Sequence, residues 1–198
     1  MMKIIDNFLG KSYYKNMLDL MAGPTFNWWY SDNSSFRIQK DHPDSTNFSE
    51  YGFSHKFWDS EKGPNPSESF IQPLLFQILD VTDCDFIIRA RADMVTWSKE
   101  EFIHLAHRDF AVPNTASVFY VNESDGDTIF YNVNPNDNSN GEVDNLERVS
   151  PKANRLVLFD GNLVHTGCSP TKHKNRILIN SNYIKKEYKE IAEVHSET

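Results

Sequence analysis

Two cysteines in 198 residues, Cys84 and Cys168, are too few for a disulfide framework and cannot furnish a cysteine-rich zinc site. Each reads as a small buried hydrophobe, the usual state of a free cysteine. Basic residues are also in deficit. Lys and Arg number 20 against 28 Asp and Glu, a formal net charge of −8, so the overall field repels nucleic acid and anionic lipid. Nucleic acid is therefore the least attractive partner. No apolar run approaches the roughly 20 residues needed to cross a bilayer. The N-terminus lacks the apolar core and small-residue cleavage site of a signal peptide, so the sequence reads as soluble and cytoplasmic. It also lacks an internal repeat and a strong linker, which at this length leaves one domain over residues 1–198.

Aromatic residues, in contrast, are abundant: 14 Phe, 8 Tyr and 4 Trp, a composition suited to a β-rich core. Tyr13, Tyr14, Met17, Leu18 and Met21 recur at helical spacing until Gly23-Pro24 stops the helix. A second helix is expected where Ser67 and Ser69 precede the stripe Phe70, Ile71, Leu74, Leu75, Ile78 and Leu79. Between them, residues 26–64 are too aromatic for a disordered linker and read as strands and loops packed over something, with a second role as a lid or site wall. Beyond Cys84 the pattern turns to β, with strands expected over 86–95, 116–121, 128–133, 155–159, 163–165 and 176–183. Residues 122–127 read as a hairpin loop and 135–141 as a long polar loop. Many short strands without intervening helices predict a mainly β protein of the α+β class, a barrel or double-sheet jelly roll. Residues 1–85 form its helical and aromatic support, 86–184 its core and 185–198 a C-terminal tail.

The string from His104 to Phe110 is chemically informative. In a strand, residues two apart share a face, so His107 and Asp109 would present an imidazole and a carboxylate side by side. A distant histidine would complete a facial triad of two nitrogens and one oxygen, the ligand set of non-haem Fe(II) oxygenases. His165, after an apolar strand and the polar turn Asp160-Gly161-Asn162, supplies one. His104 has the wrong spacing to share His107's face and is expected to point away; His173, in a basic loop, is expected at the surface. His42, His55 and His195 default to surface or packing roles. Arg176 opens an apolar strand, where a buried positive charge needs an anionic partner and a guanidinium matches a carboxylate bidentately. Arg89, Arg91 and Asp93 share one strand face, either as a simple ion-paired row or as part of a binding site.

These residues together resemble the 2-oxoglutarate/Fe(II)-dependent dioxygenase superfamily, in particular its prolyl-4-hydroxylase-like branch. The resemblance rests on His107-Arg108-Asp109, on Tyr120-Val121-Asn122 with Gly126-Asp127-Thr128, on Phe159-Asp160-Gly161 with His165, and on Arg176. It spans residues 86–183, about half of the chain. It implies a double-stranded β-helix (jelly-roll, cupin-like) core with the N-terminal helices packed outside. His107, Asp109 and His165 would be the Fe(II) ligands, and Arg176 would hold the distal carboxylate of 2-oxoglutarate. Arg91 and Trp97, with Asp93 nearby, are candidates for a further cosubstrate contact on the preceding strand. The hydroxyl residue that several branches carry two positions beyond the basic anchor is Leu178 here, so that donor is missing.

The implied reaction consumes dioxygen and 2-oxoglutarate, releases succinate and carbon dioxide, and hydroxylates a C–H bond of a prime substrate. A prolyl residue of a protein or peptide is the first expectation. A small metabolite, a free amino acid or a nucleobase is the alternative within the enzymes. A non-catalytic jelly-roll metal-binding module and a cupin-like zinc or manganese protein are the others. Substrate choice is expected in residues 26–58 and 134–145, because loops around a rigid roll usually carry it.

Overall fold

The two longest strands, Phe86–Thr96 and Asn175–Ile184, pair with each other in the middle of one large sheet that forms the floor of the molecule. The computed structural model describes residues 2–31, 51–59, 62–104, 106–132 and 145–189. Eleven strands and two α-helices are present among them: β1 (Lys3–Asp6), α1 (Lys11–Met21), β2 (Trp29–Ser31), β3 (Gly52–Asp59), β4 (Gly63–Pro64), α2 (Gln72–Asp80), β5 (Phe86–Thr96), β6 (Thr115–Tyr120), β7 (Thr128–Tyr131), β8 (Asn145–Val149), β9 (Arg155–Asp160), β10 (His165–Gly167) and β11 (Asn175–Ile184). A short 3₁₀ turn over Pro66–Ile71 leads into α2, which has a proline in its first turn, where the missing N–H costs nothing.

The major sheet runs β1-β9-β6-β11-β5-β3-β2, with β4 pairing β3, and the minor sheet runs β10-β7-β8. Strand periodicity explains how the major sheet is used. On β11, Ile177 and Ile179 face a core shared with Met17 and Met21 of α1 and Leu74, Leu75 and Ile78 of α2. Leu178 faces the opposite way, into a second core with Val118, Tyr120, Phe130, Val149, Val157 and Phe159. That second core lies between the two sheets, so the major sheet is covered by helices on one face and by the minor sheet on the other. This is the double-stranded β-helix with helices outside. Burial of both faces leaves five of the six residues of β6 buried, and in β11 even the polar Arg176, Ser181 and Asn182 are buried. Tyr14 locks α1 to the sheet by donating its hydroxyl to Val121 O at 2.8 Å.

Several expectations shift. The N-terminal segment contributes a strand, β1, which extends the major sheet beside β9 in register Lys3↔Leu158 to Asp6↔Arg155. The aromatic region supplies β2 and β3, which extend the same sheet past β5. Trp28 and Trp58 pack on the helix-side core, whereas Trp29 is 68% exposed. The strand expected over 163–165 begins at His165 and continues to Gly167. His55 takes the packing role: it is buried, with Asn27 O 2.7 Å from its Nδ1. His42, His195, most of the 26–58 segment's centre (32–50) and nearly all of the 134–145 loop lie outside the described residues. Among the described residues, no helix is long and apolar enough to cross a membrane.

Candidate metal centre

The segment carrying His107 is not a regular strand. It joins the minor sheet through two isolated bridges, Ile103↔Cys168 and His107↔His165. At the second bridge the His107 N–H donates to His165 O at 2.9 Å and the His165 N–H donates to His107 O at 3.0 Å. The two imidazoles are thereby held side by side, with ring centroids 4.9 Å apart and their planes tilted by 46°. Asp109 follows in a bend, and its Oδ1 lies 3.8 Å from His107 Nε2. The structure therefore brings His107, Asp109 and His165 together, with one ligand atom of each within 4.8 Å of the others.

The surroundings prepare these groups as ligands. His165 is buried between Phe130 and Phe159, and its Nδ1 sits 3.0 Å from Leu163 O. A carbonyl can only accept, so Nδ1 carries the proton and Nε2 keeps its lone pair. Burial pushes His165 below the ordinary histidine value, against the pull of Asp109, which favours the neutral, ligating form. Asp109 is treated oppositely. Burial alone would raise its carboxyl, but Arg89, then His165 and His107, outweigh burial and hold it well below the usual carboxylate range.

Both oxygens of Asp109 are oriented by neighbours. Arg89 Nη2 pairs with Oδ1 at 2.6 Å, and Asn182 Nδ2 donates to Oδ2 at 3.0 Å. Arg89 Nε also donates to Asn182 Oδ1 at 3.1 Å, and Asn182 donates to Asn114 Oδ1 at 3.1 Å. Gly161 belongs to this network through its size: a Cβ there would run into the Asn114 side chain. The Asp-Gly turn ahead of His165 thus spares room for the group that supports Asn182. Sequence reasoning placed Arg89 on the right strand face but missed it as Asp109's partner, and it missed Asn182 and Asn114 altogether.

Arg176 is the other singular feature. It is buried, with 4% exposure, and no acidic partner for it is present among the described residues. Its Nη2 donates to Thr128 Oγ1 at 2.6 Å, its guanidinium carbon stands 5.7 Å from the Tyr120 ring centroid, and its Nε has no hydrogen bond. Tyr120 and Thr128 share a hydrogen bond at 2.6 Å. These two hydroxyls stand where Leu178 offers none. Gly167 makes room for the guanidinium, since a Cβ there would lie 2.6 Å from Nη1.

One cavity connects the pieces. Arg176, Thr128, His107, His165, Arg91 and Asp93 all line it. His104 lines it as well, contrary to the expectation that it points away: the irregular bridge segment does not keep the face alternation of a strand. Trp97 does not line it. Its indole is 53% exposed and donates to Thr171 O at 2.8 Å, so it fastens the 171–174 loop. His173 is partly exposed and pairs with Asp125 at 2.8 Å. A larger cavity of about 510 Å³ opens elsewhere, beside Cys84, Asn114, Asp160 and Lys185. Neither histidine of the cluster nor Arg176 lines it, so size does not mark the site.

Two sheets thus enclose a His-x-Asp…His cluster with a buried arginine on the last strand, the arrangement that the sequence resemblance implies. No family model and no curated protein matches the sequence, but solved structures match the fold. The chain is similar to a prolyl hydroxylase from Trichoplax adhaerens solved with a hypoxia inducible factor oxygen degradation domain peptide fragment. Identity is 14%, coverage 96% of this chain and 86% of that one, and the TM-score 0.59. A 2OG-Fe(II) oxygenase family oxidoreductase from Burkholderia pseudomallei aligns at 12% identity over 92% of this chain and 84% of that one, with a TM-score of 0.62. HygX from Streptomyces hygroscopicus, with nickel, 2-oxoglutarate and hygromycin B bound, aligns at 11% identity over 93% and 83%, with a TM-score of 0.52.

Proposed function

We propose that the protein is an Fe(II)/2-oxoglutarate-dependent dioxygenase that hydroxylates a C–H bond. The observation that carries this reading is Arg176, a buried guanidinium with no acidic partner among the described residues, in one cavity with His107 and His165. A buried cation of this kind calls for an anion. The donor set fits Fe(II): a neutral imidazole with its Nε2 lone pair free, a second imidazole, and a carboxylate held ionised, with one ligand atom of each within 4.8 Å of the others. When bound, Fe(II) with 2-oxoglutarate and dioxygen would supply the oxidation, giving succinate, carbon dioxide and a hydroxylated product.

The chain's own residues have narrower tasks. His107, Asp109 and His165 would hold the metal from one face and leave the others open. Arg89 and Asn182 keep the Asp109 carboxylate ionised and aimed. Arg176, steadied by Thr128, would take the distal carboxylate and so set the cosubstrate's reach to the metal. Phe130 and Phe159 shield His165 from water.

The prime substrate is proposed as a peptidyl prolyl residue first and a small molecule second. One neighbour of the fold was solved with a peptide fragment and another with hygromycin B. The test is anaerobic loading with Fe(II) and 2-oxoglutarate, admission of oxygen, and measurement of succinate, with His107→Ala as control. Cosubstrate-dependent succinate that vanishes in the variant is expected. Absence of both succinate and 2-oxoglutarate binding in the wild type overturns the reading.

A further inference from the structure

The face of β5 that looks into the cavity carries Arg89, Arg91 and Asp93, each with its own assignment. Arg89 serves Asp109. Asp93 is gripped from two sides: Asn180 Nδ2 donates to its Oδ2 at 2.6 Å, and Arg91 Nε lies 2.8 Å from its Oδ1. Arg91 thus pairs with Asp93 through Nε, the inner edge of its guanidinium. No hydrogen bond from its two terminal nitrogens is present among the described residues, and the side chain is 24% exposed. Arg91 lines the same cavity as Arg176 and the histidines, and its ion pair with Asp93 uses Nε and not the outer edge of the fork.

We infer that Arg91 is a second carboxylate-binding point in the cavity, separate from Arg176; this rests on the oxygenase reading for the first. A simple ion-paired strand face would not need this arrangement, since a guanidinium made only to balance Asp93 gains most by pairing through its fork. Position separates the two arginines. Arg91 lies opposite Asn180 on β11, four residues from Arg176, which at about 3.3 Å per residue sets the rows roughly 13 Å apart. Arg91 is also next along β5 to Arg89, and so belongs to the end of the cavity where Asp109 is held.

Charge indicates which carboxylate it takes. Arg89, Arg91 and Arg176 outnumber Asp93 and Asp109 by one. Fe(II) and the 2-oxoglutarate dianion cancel each other, leaving one positive charge over. A monoanionic carboxylate on the prime substrate neutralises it, carried by an acidic side chain or the C-terminus of a prolyl peptide, or by a small carboxylic acid. The other source of the same chemistry is the 1-carboxylate of 2-oxoglutarate itself.

Calorimetry on Ni(II)-loaded protein separates the sources. 2-Oxoglutarate is titrated into wild type, Arg91→Gln, Arg91→Lys and Arg176→Gln. Propionate and the common L-amino acids, each beside its carboxamide, are then titrated into the Ni(II)–2-oxoglutarate complex. A prime-substrate carboxylate predicts 2-oxoglutarate affinity within about twofold of wild type in Arg91→Gln. It also predicts a carboxylate probe, not its amide, whose affinity falls about tenfold in Arg91→Gln and partly returns in Arg91→Lys. A tenfold loss of 2-oxoglutarate affinity in Arg91→Gln also supports the subsite and assigns it to the cosubstrate. If Arg91→Gln changes neither, or no probe distinguishes carboxylate from amide while 2-oxoglutarate binds unchanged, the inference is wrong. Failure of the wild type to bind 2-oxoglutarate overturns the oxygenase reading instead; propionate binding to the Ni(II) protein alone then decides the fate of Arg91. Circular dichroism of each variant confirms that it is folded.

Discussion

His107 and His165 lie opposite each other in one antiparallel bridge, each accepting the other's backbone N–H at 2.9 and 3.0 Å. The pairing of the two imidazoles is thus enforced by main chain, and side-chain substitution leaves it standing. His107→Ala should therefore fold with a melting temperature close to that of the metal-free wild type. Its bound Fe(II) or Ni(II), measured by elemental analysis after desalting, should fall from about one equivalent to a small fraction.

Arg176 is proposed to act on a different ligand, the cosubstrate. Arg176→Gln should retain the metal but weaken 2-oxoglutarate about 10- to 100-fold, as expected for a lost charge-assisted fork. Gly167→Ala should reproduce a milder form of the same defect, because the added methyl intrudes on Nη1. Parallel titrations of metal and of cosubstrate would check both, and loss of metal in either variant would contradict this division of labour.

Arg89→Gln leaves Asp109 with one fewer positive partner in a buried setting. We expect the metal-free protein to lose about 1–3 kcal/mol in urea denaturation, part of the cost of an unpaired buried charge. Saturating Ni(II) should recover much of that loss, because the cation takes over the arginine's electrostatic role. Equal destabilisation with and without metal would show that Arg89 merely packs.

Asp125 clamps the loop that precedes Arg176, accepting from the Thr171 N–H and hydroxyl and from the Lys172 and His173 N–H groups. Burial would raise its carboxyl, but the hydrogen bonds from His173, Thr171 and Lys172 hold it below the ordinary carboxylate range. Its folded value is depressed, so its contribution is present above the unfolded value of about 3.9 and is lost as pH falls through the folded one. Asp125→Asn should cost about 1–2 kcal/mol near neutrality. The gap to wild type should narrow below about pH 4, as urea midpoints across pH would record.

The roll was legible because its signals are local. Alternation on 176–183, apolar runs at 116–121 and 155–159, and the turn residues between them depend on near neighbours in the chain. His107, Asp109, His165 and Arg176 became a set through the resemblance and their order along the chain. The geometry assumed for them was only half right, since a lone bridge rather than a strand presents His107, and for the same reason His104 turned inward. Arg89, Asn114 and Asn182 were not legible as Asp109's support, because asparagine and arginine have many uses, and only the sheet register joins residues 89 and 182 while a long-range side-chain hydrogen bond adds 114. Strand β1 was hidden by its brevity: four residues with little burial owe their conformation to β9, not to themselves.

The inward row of β11 reads Arg176, Leu178, Asn180 and Asn182; Asn180 and Asn182 tether the carboxylates of Asp93 and Asp109, and Arg176 is itself the buried charge. Because side chains alternate, a slip or deletion of one residue in this strand would turn the whole row toward the helices at once. The site therefore has no half-built version. Whatever secures β11 between β5 and β6 assembles the anchor, the brace on Asp93 and the brace on Asp109 in a single event, and a mutation far from the cavity that loosens that pairing would abolish every function together while leaving each ligand residue in place.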